Sequence, residues 1–170
     1  MTIIKRTLSK TIIEASETFP VILLTGPRQV GKTTLLIQLA GNNRKYVTLD
    51  DLEQRRLAAT DPALFLQINT PPVIIDEIQY APELFSYIKM HVDTYNQAGG
   101  FWLTGSQKFH LMKGIHETLA GRIAIIDLLG LSYREMTGKS DENIPFLPTK
   151  EKTAIIRKKV QKPRTLARVY

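Results

Sequence analysis

Cysteine is absent from the sequence, and this excludes disulfide bridges, iron–sulfur clusters and zinc sites built on thiolates. Long apolar runs are absent as well, since none comes near the roughly 20 residues that a membrane-spanning helix requires. The first residues, MTIIKRTLSKTIIEASETFP, lack the apolar core and the small-residue cleavage site of a secretory signal peptide. We therefore expect a cytoplasmic protein without a membrane partner.

Negative charge is scarce relative to positive charge, because 23 lysines and arginines outnumber 16 acidic residues and leave a net charge of +7. Such an excess fits an acidic partner such as nucleic acid. A nucleotide triphosphate needs positive charge too, so both interpretations stay open. The 170 residues, 43% of them hydrophobic, suffice for one globular α/β domain and not for two of full size.

Short apolar runs alternate with helical periodicity along most of the chain. Ile4, Leu8 and Ile12 recur at helical spacing, which predicts an amphipathic helix over residues 1–17. Runs rich in β-forming residues predict strands over residues 21–25, 45–50, 71–77, 101–106 and 122–129. The helical patterns between them predict a parallel sheet with right-handed crossovers. We assign residues 18–135 to this domain, and residues 136–170 to a basic segment with too few apolar residues for a core of its own.

Helix boundaries are marked by local capping signals. Either Asp50 or Asp51 suits the N-cap of a helix over the run DLEQRRLAAT. Asp61 followed by Pro62 predicts the start of the next helix, because proline is favoured at the first helical position. Gly41 is predicted to end the helix that follows the first strand.

The stretch GPRQVGKTT, residues 26–34, has the spacing G-x-x-x-x-G-K-[ST] of a phosphate-binding loop. Gly26 and Gly31 let the backbone turn so that successive N–H groups converge on phosphate oxygens. Lys32 supplies a flexible charge for the β- and γ-phosphates, and Thr33 a hydroxyl for Mg²⁺. The predicted nucleotide-binding residues are Gly26, Pro27, Arg28, Gln29, Val30, Gly31, Lys32, Thr33 and Thr34. A chance match in a surface loop is the alternative, and the apolar strand before the motif and the helix after it argue against it.

Two adjacent acids, Asp76 and Glu77, end the third apolar run. In phosphate-loop proteins the first acid at a strand end holds Mg²⁺, so Thr33 and Asp76 form the predicted metal site. The second acid can act as general base on the attacking water, which favours hydrolysis over phosphate transfer to a small metabolite. Two solvated acids in a turn are the structural alternative. Their position at the carboxyl end of a strand, where open α/β sheets bind ligands, favours the functional interpretation.

Small polar residues end the fourth predicted strand, where Thr104 and Ser106 lie in the run WLTGSQ. One of them is predicted to contact the γ-phosphate or to orient water, and the alternative is a glycine-centred turn that uses both hydroxyls locally. Arg122, at the start of the fifth predicted strand, is a candidate for stabilising transition-state charge at a neighbouring subunit's nucleotide, with a solvated arginine as the alternative. The predicted catalytic residues are Glu77, Lys32, Thr104, Ser106 and Arg122.

The histidines and the basic C-terminal stretch receive no assigned chemistry. His91, His110 and His116 lack a ligand spacing to acids, so no metal or catalytic role is assigned to them. The stretch from Lys150 to Arg164 contains seven lysines and arginines. A solvated helix face explains that charge more simply than a nucleic-acid contact, which stays open as an alternative.

In this order, the runs GPRQVGKTT, VIIDEIQ, FWLTGSQ and LAGR make the chain resemble a prokaryotic family of AAA+-like P-loop ATPases. The resemblance implies a three-layer α/β fold of the ASCE type, with a parallel five-stranded sheet in the order 5-1-4-3-2. It implies ATP and Mg²⁺ as ligands, a Walker A loop at Lys32 and a Walker B acid at Asp76. It also implies that Glu77 activates water and that residues 104–106 form a sensor-like turn.

In that family the ATPase domain is usually followed by a helical region and a C-terminal domain of largely unknown function. The resemblance therefore implies that this chain is truncated and lacks a complete lid, together with the sensor arginine that a lid bears. The main hypothesis is Mg²⁺-dependent ATP hydrolysis coupled to a conformational or partner-directed task, and oligomer formation is compatible with it. The alternative is a nucleotide-dependent interaction module with little or no turnover that contacts a protein or a nucleic acid.

Overall fold

Strands and helices alternate along the chain, as the apolar periodicity predicts. The structure, a computed structural model, describes residues 4–106, 115, 118–138 and 140. The elements in chain order are α1 (Ser9–Thr18), β1 (Val21–Thr25), α2 (Lys32–Ala40), β2 (Lys45–Thr48), α3 (Leu52–Thr60), α4 (Pro62–Ile68), β3 (Val73–Asp76), a 3₁₀ turn (Ile78–Tyr80), α5 (Leu84–Tyr95), β4 (Phe101–Gly105), β5 (Ile123–Asp127) and α6 (Tyr133–Met136). His110, His116 and the basic stretch from Lys150 to Arg164 lie outside the described residues.

The five strands form one parallel sheet in the order β2-β3-β4-β1-β5. This is the predicted order 5-1-4-3-2 read from the opposite edge, so the predicted fold class is confirmed. At the centre of the sheet, Leu23 of β1 lies opposite Leu103 of β4 and Ile125 of β5. Because the strands are parallel, the carboxyl ends of all five strands lie at the same end of the sheet, here called the carboxyl edge. Open α/β sheets bind their ligands there.

Apolar side chains cover both faces of the sheet. On one face, Leu23 of β1 lies in a cluster with Phe65 of α4 and Phe85 of α5. On the other face, Leu24 lies in a cluster with Leu36 of α2. Burial on both faces explains why the run VILLT is apolar throughout instead of alternating. The result is the helix–sheet–helix layering that the resemblance implies.

The first helix is shorter than the prediction of residues 1–17, because α1 begins at Ser9. Ahead of it, the backbone N–H of Thr7 donates to the carboxylate of Glu135 at 2.8 Å. The guanidinium of Arg6 is buried against the same carboxylate. These tertiary contacts fix residues 6 and 7 ahead of the helix and outweigh the helical apolar spacing there.

Helix starts follow the local capping signals. Asp51, the second of the two candidate aspartates, accepts hydrogen bonds from two backbone N–H groups of the first turn of α3. Asp61 caps α4, and Pro62 lies in its first turn, as predicted. Gly41 follows the last residue of α2, also as predicted. No helix among the described residues combines the length and the apolar character that crossing a bilayer demands.

Candidate functional site

The phosphate loop connects β1 to α2 at the carboxyl edge of the sheet. Its backbone has positive φ at Gly26 (140°), Gln29 (62°) and Gly31 (89°). A Cβ at Gly26 would meet the carbonyl oxygen of Leu128 at 2.1 Å, so only glycine lets the loop pass this close to the end of β5. Gly31 is the N-cap of α2, and the first N–H groups of a helix have no partners within it. The loop therefore opens onto a helix N-terminus, where anions are favoured.

Lys32 is buried, and its ammonium lies over the loop. Nζ donates to the carbonyl oxygens of Gly26 at 3.1 Å and of Pro27 at 2.9 Å. Burial lowers the pKa of Lys32, and the charges of Glu77 and Asp76 act in the opposite direction. A phosphate group offers the same ammonium charged acceptors, which form stronger hydrogen bonds than carbonyl oxygens do. The donor is thus in place for a phosphate beside the loop.

Asp76, at the end of β3, receives hydrogen bonds from three other segments. One carboxylate oxygen accepts from the hydroxyl of Thr33 at 2.7 Å and from the hydroxyl of Thr104. The other oxygen accepts from the hydroxyl of Tyr46 at 3.1 Å. Hydroxyl and carboxylate oxygens, completed by phosphates and water, are the ligands that Mg²⁺ prefers. The donor set therefore fits Mg²⁺, which Thr33 and Asp76 would hold.

Glu77 follows in the left-handed conformation, with φ 57° and ψ 47°, a sparsely populated state for a non-glycine residue that recurs at functional sites. Its backbone N–H donates to the hydroxyl of Thr104 at 3.0 Å. Its carboxylate accepts hydrogen bonds from Gln79 and, at 3.3 Å, from Ser106. Thr104 therefore contacts both acids, whereas Ser106 contacts one of them, through the carboxylate of Glu77. The γ-phosphate contact of either hydroxyl stays a prediction.

A cleft of about 560 Å³ lies at the carboxyl edge, and of the groups described above Lys32, Thr33 and Glu77 line it. The residues that line it are Arg28, Gln29, Gly31, Lys32, Thr33, Thr34, Asp50, Glu77 and Tyr80. Most of them belong to the predicted nucleotide-binding set, and Glu77 is the predicted general base. The volume is within the usual range for small-molecule sites.

A second cavity, of about 660 Å³, lies on the other side of the phosphate loop. Both cavities are lined by Gln29, Gly31 and Thr34, so the loop forms a wall that they share. The second cavity is mainly apolar, with Ile4, Val30, Leu35, Leu131 and Met136 in its lining. The sequence contained no local signal for it, because its walls come from the chain before β1, from α2 and from the chain after β5.

Arg122 lies at the amino ends of the strands, and the cleft lies at their carboxyl ends. It precedes β5, and its carbonyl accepts from the N–H of Val21 at the start of β1. Its guanidinium pairs with the carboxylate of Asp93 in α5, and hydrogen bonds from Lys89 and Arg122 lower the pKa of Asp93. Arg122 therefore does not join the cleft of its own chain. Its role at a neighbouring subunit's nucleotide stays a prediction.

Four residues at the site were not predicted as site residues from the sequence: Asp50 and Tyr80, which line the cleft, and Tyr46 and Gln79, which contact its two acids. Tyr46 reaches Asp76 only because the sheet order places β2 beside β3, and no local pattern indicates that neighbour. Gln79 donates from its amide both to Glu77 and, at 3.3 Å, to Ser106. It lies within the run VIIDEIQ, and its place two residues after the acid was the available signal.

Known proteins resemble this chain in sequence and in fold. A family model described as "AAA domain" matches residues 18–137. The uncharacterized proteins Mb2031c of Mycobacterium bovis and Rv2008c of Mycobacterium tuberculosis are each 35% identical to it over 147 residues, or 85% of the chain. The chain spans about a third, 33%, of the length of these curated relatives.

Among solved structures, the Walker-type ATPase PABY2304 of Pyrococcus abyssi superimposes with a TM-score of 0.53. The match covers 87% of this chain and 61% of that chain, at 18% sequence identity. At this identity the likeness bears on the fold alone. The shared fold is the α/β arrangement of P-loop ATPases, with a phosphate loop at the carboxyl edge of a parallel sheet.

Proposed function

This chain belongs to the AAA domain family, and from that premise we propose that its carboxyl-edge cleft binds ATP with Mg²⁺ and hydrolyses it. The membership confirms the resemblance to AAA+-like ATPases. The observation that carries the proposal is that Lys32, Thr33 and Glu77 line one cleft although they come from separate segments. Asp76 and Thr104 adjoin them, because the hydroxyl of Thr33 donates to Asp76 and the N–H of Glu77 donates to Thr104.

Phosphate binding is assigned to the loop and to Lys32. The N–H groups at the start of α2 and the buried ammonium supply donors and positive charge in one place. The apolar second cavity adjoins the same loop and suits a flat, weakly polar base. ATP has both parts: its polyphosphate chain would occupy the cleft at the phosphate loop, and its adenine would occupy the second cavity.

Metal binding is assigned to Thr33 and Asp76. When bound, Mg²⁺ supplies positive charge that neutralises the phosphate oxygens. Tyr46 and Thr104 hold the carboxylate of Asp76 from two sides, so its orientation is set before the metal arrives. Such preorganisation lowers the cost of assembling the site.

Water activation is assigned to Glu77. Its carboxylate lines the phosphate cleft, and hydrogen bonds from Gln79 and Ser106 orient it there. As a general base, Glu77 would take a proton from a water molecule that attacks the γ-phosphate in this cleft.

The binding step is tested with Lys32→Ala. Calorimetric titration with ATP and Mg²⁺ should show tight binding by the wild type and a loss of at least tenfold in the variant, since a charge-assisted contact is worth about 1.5–3 kcal/mol. Lys10→Ala, an exposed lysine of α1, is the matched control. Unchanged binding in Lys32→Ala would contradict the assignment of the phosphate loop.

The hydrolysis step is tested with Glu77→Gln. A multiple-turnover phosphate-release assay should show a rate at least about 100-fold lower than that of the wild type, the usual contribution of a general base, with ATP still bound. Glu83→Gln, an exposed acid ahead of α5, is the control. Equal, near-zero rates in the wild type and Glu77→Gln would remove the hydrolase proposal and leave the binding proposal standing.

A nucleotide-dependent interaction module with little turnover is the second candidate. The observation that favours it is that Gln79 and Ser106 already occupy the carboxylate of Glu77, which restrains it as a base. In that case ATP binding would alter the affinity for a protein or nucleic-acid partner without net phosphate release. We also propose a protein or nucleic-acid partner, oligomer formation and a cytoplasmic location for the whole protein. The chain itself spans a third of the length of its curated relatives.

A further inference from the structure

Arg6 and Glu135 form a buried ion pair behind the phosphate loop. The two residues are 8% and 5% exposed, and Nε of Arg6 lies 3.1 Å from Oε1 of Glu135. They come from opposite ends of the described chain, one ahead of α1 and the other in α6. The pair therefore joins two segments that no local pattern connects.

The remaining donors of Arg6 bind backbone carbonyls on two sides of the pair. Nη1 donates to the carbonyl oxygen of Val30 in the phosphate loop at 2.9 Å. Nη2 donates to the carbonyl oxygen of Leu129, after β5, at 2.6 Å, with a longer contact of 3.4 Å to that of Gly130. One planar guanidinium thus contacts the loop, the chain after β5 and α6.

Glu135 is anchored independently of Arg6. Oε1 also accepts from the backbone N–H of Thr7 at 2.8 Å, and Oε2 accepts from the N–H of Ser132 at 2.7 Å. Burial acts to raise the pKa of Glu135, but these backbone bonds and Arg6 outweigh it and lower the pKa to about 2. The carboxylate is therefore ionised at neutral pH and is held in α6 by its capping box.

The contact with Val30 acts on the neighbouring peptide group. In a trans peptide the C=O of one residue and the N–H of the next point in opposite directions within one plane. Because the Val30 carbonyl points at Arg6, the N–H of Gly31 points away from Arg6. Gly31 is the N-cap residue of α2 and lines the phosphate cleft. Arg6 thereby sets the orientation of a donor at the place where phosphate is expected.

We infer that Arg6 is a positioning residue for the phosphate loop, and that its pair with Glu135 couples this loop to the segment that leads into α6. The inference rests on the proposed nucleotide binding. Arg6 lines the second cavity, and its effect on the phosphate loop is transmitted through the Val30–Gly31 peptide. Because a buried ion pair adds little net stability compared with well-packed neutral residues, the positioning effect and the stabilising effect can be separated by mutation.

The test compares Glu135→Gln with the double variant Arg6→Met/Glu135→Gln. Glu135→Gln removes the counter-charge but keeps the bond from Arg6 to Val30, so Tm should fall while the Kd for ADP stays within about twofold of the wild type. The double variant also loses that bond, so its Kd should rise about tenfold. Its Tm should be no lower than that of Glu135→Gln, because no unpaired buried charge remains.

The measurements are calorimetric titration with ADP and thermal unfolding without nucleotide. The control is Lys10→Met/Glu14→Gln, which removes an exposed ion pair of α1 and should change neither Kd nor Tm appreciably. If the double variant does not fold, Arg6→Lys gives the same readout. It keeps the charge but lacks the planar fork, and its Kd should rise several-fold while Tm stays near that of the wild type.

Three results would overturn the inference. Wild-type affinity for ADP in the double variant or in Arg6→Lys would mean that the loop needs no support from Arg6. Equal weakening in Glu135→Gln and the double variant would assign the effect to the lost ion pair and not to the Val30 contact. A wild-type chain that binds neither ADP nor ATP would overturn the proposed function together with the inference.

Discussion

At the scale of single residues, the carboxylate of Asp76 organises the candidate site. It is 6% exposed, and a buried carboxylate is costly unless its oxygens are hydrogen-bonded. Hydroxyls from Thr33, Thr104 and Tyr46 meet that need without adding positive charge. The negative charge of Asp76 therefore remains available to a cation in the cleft.

Tyr46→Phe tests this arrangement. It removes the only described contact to the second oxygen of Asp76, so the carboxylate should be less well oriented for Mg²⁺. We expect the Mg²⁺ concentration for half-maximal ATP binding to rise several-fold, as for other residues that orient metal ligands, and Tm to fall, because one oxygen of a buried carboxylate loses its hydrogen-bond partner. A magnesium titration of ATP binding measures it, and Tyr87→Phe, on α5, is the control. No change in the magnesium requirement would show that Thr33 and Thr104 orient Asp76 sufficiently.

Gly26→Ala tests the closest backbone approach in the site. The new Cβ would meet the Leu128 carbonyl at 2.1 Å, so β5 or the loop must shift. We expect a lower Tm and at least tenfold weaker binding of ATP, because a displaced loop no longer aims its N–H groups together. Gly41→Ala is the matched control, since Gly41 also has positive φ but open space around its Cα. A Gly26→Ala variant as stable and as tight-binding as Gly41→Ala would show that the close approach to Leu128 does not shape the loop.

At the scale of elements, each segment that carries a site residue ends at the carboxyl edge of the sheet. β3 ends in Asp76 and β4 ends beside Ser106, while β1 leads into the phosphate loop. The helices that return the chain pack against the two faces, so their stability determines how firmly the strands are held. Local capping sets where these helices begin, and its contribution can be measured separately from the site.

Asp51→Ala tests the cap of α3. The Asp51 carboxylate accepts from the N–H groups of Glu53 and Gln54, and both donors lose this partner in the variant. We expect the free energy of unfolding to fall by about 1 kcal/mol, measured as a lower urea midpoint with an unchanged m-value. Asp50→Ala should cost less, because the described contact of the Asp50 side chain is an exposed ion pair with Arg55. Equal losses in the two variants would contradict the assignment of Asp51 as the cap.

At the scale of the whole molecule, the Arg6–Glu135 pair ties the chain ahead of α1 to the chain after β5. The pair joins these two segments beside the phosphate loop and the end of β5. Its electrostatics therefore enter the stability of the fold as a whole. The pKa of Glu135, lowered to about 2, makes that contribution depend on pH.

Acidification tests the contribution of Glu135. Its pKa in the folded state is lower than the ordinary value of 4.5, so the folded state favours the ionised carboxylate. The stabilisation is fully present above the unfolded pKa and disappears as pH falls from about 5 towards 2. We expect the free energy of unfolding of Glu135→Gln to fall less steeply than that of the wild type over this range. Denaturation at a series of pH values measures it, with Glu83→Gln as control, and parallel slopes would contradict the prediction.

The local features of this protein were determined by the sequence alone. The spacing from Gly26 to Thr33 predicted the loop between β1 and α2, and the apolar run before Asp76 predicted a buried strand that ends in an acid. Asp61 with Pro62 predicted a helix start. These features depend on residues a few positions apart, where backbone conformation and hydrogen bonding act directly. The sheet order came from the family resemblance that these motifs carry.

Only the tertiary structure decided which distant residues meet. Tyr46 reaches Asp76 because β2 pairs with β3, and Arg122 lies away from the cleft because it precedes β5. The start of α1 at Ser9 follows from the contacts of Arg6 with Glu135, which override the helical spacing ahead of it. Such contacts join segments far apart in the chain, and their free energy comes from packing and burial that no short stretch of sequence contains.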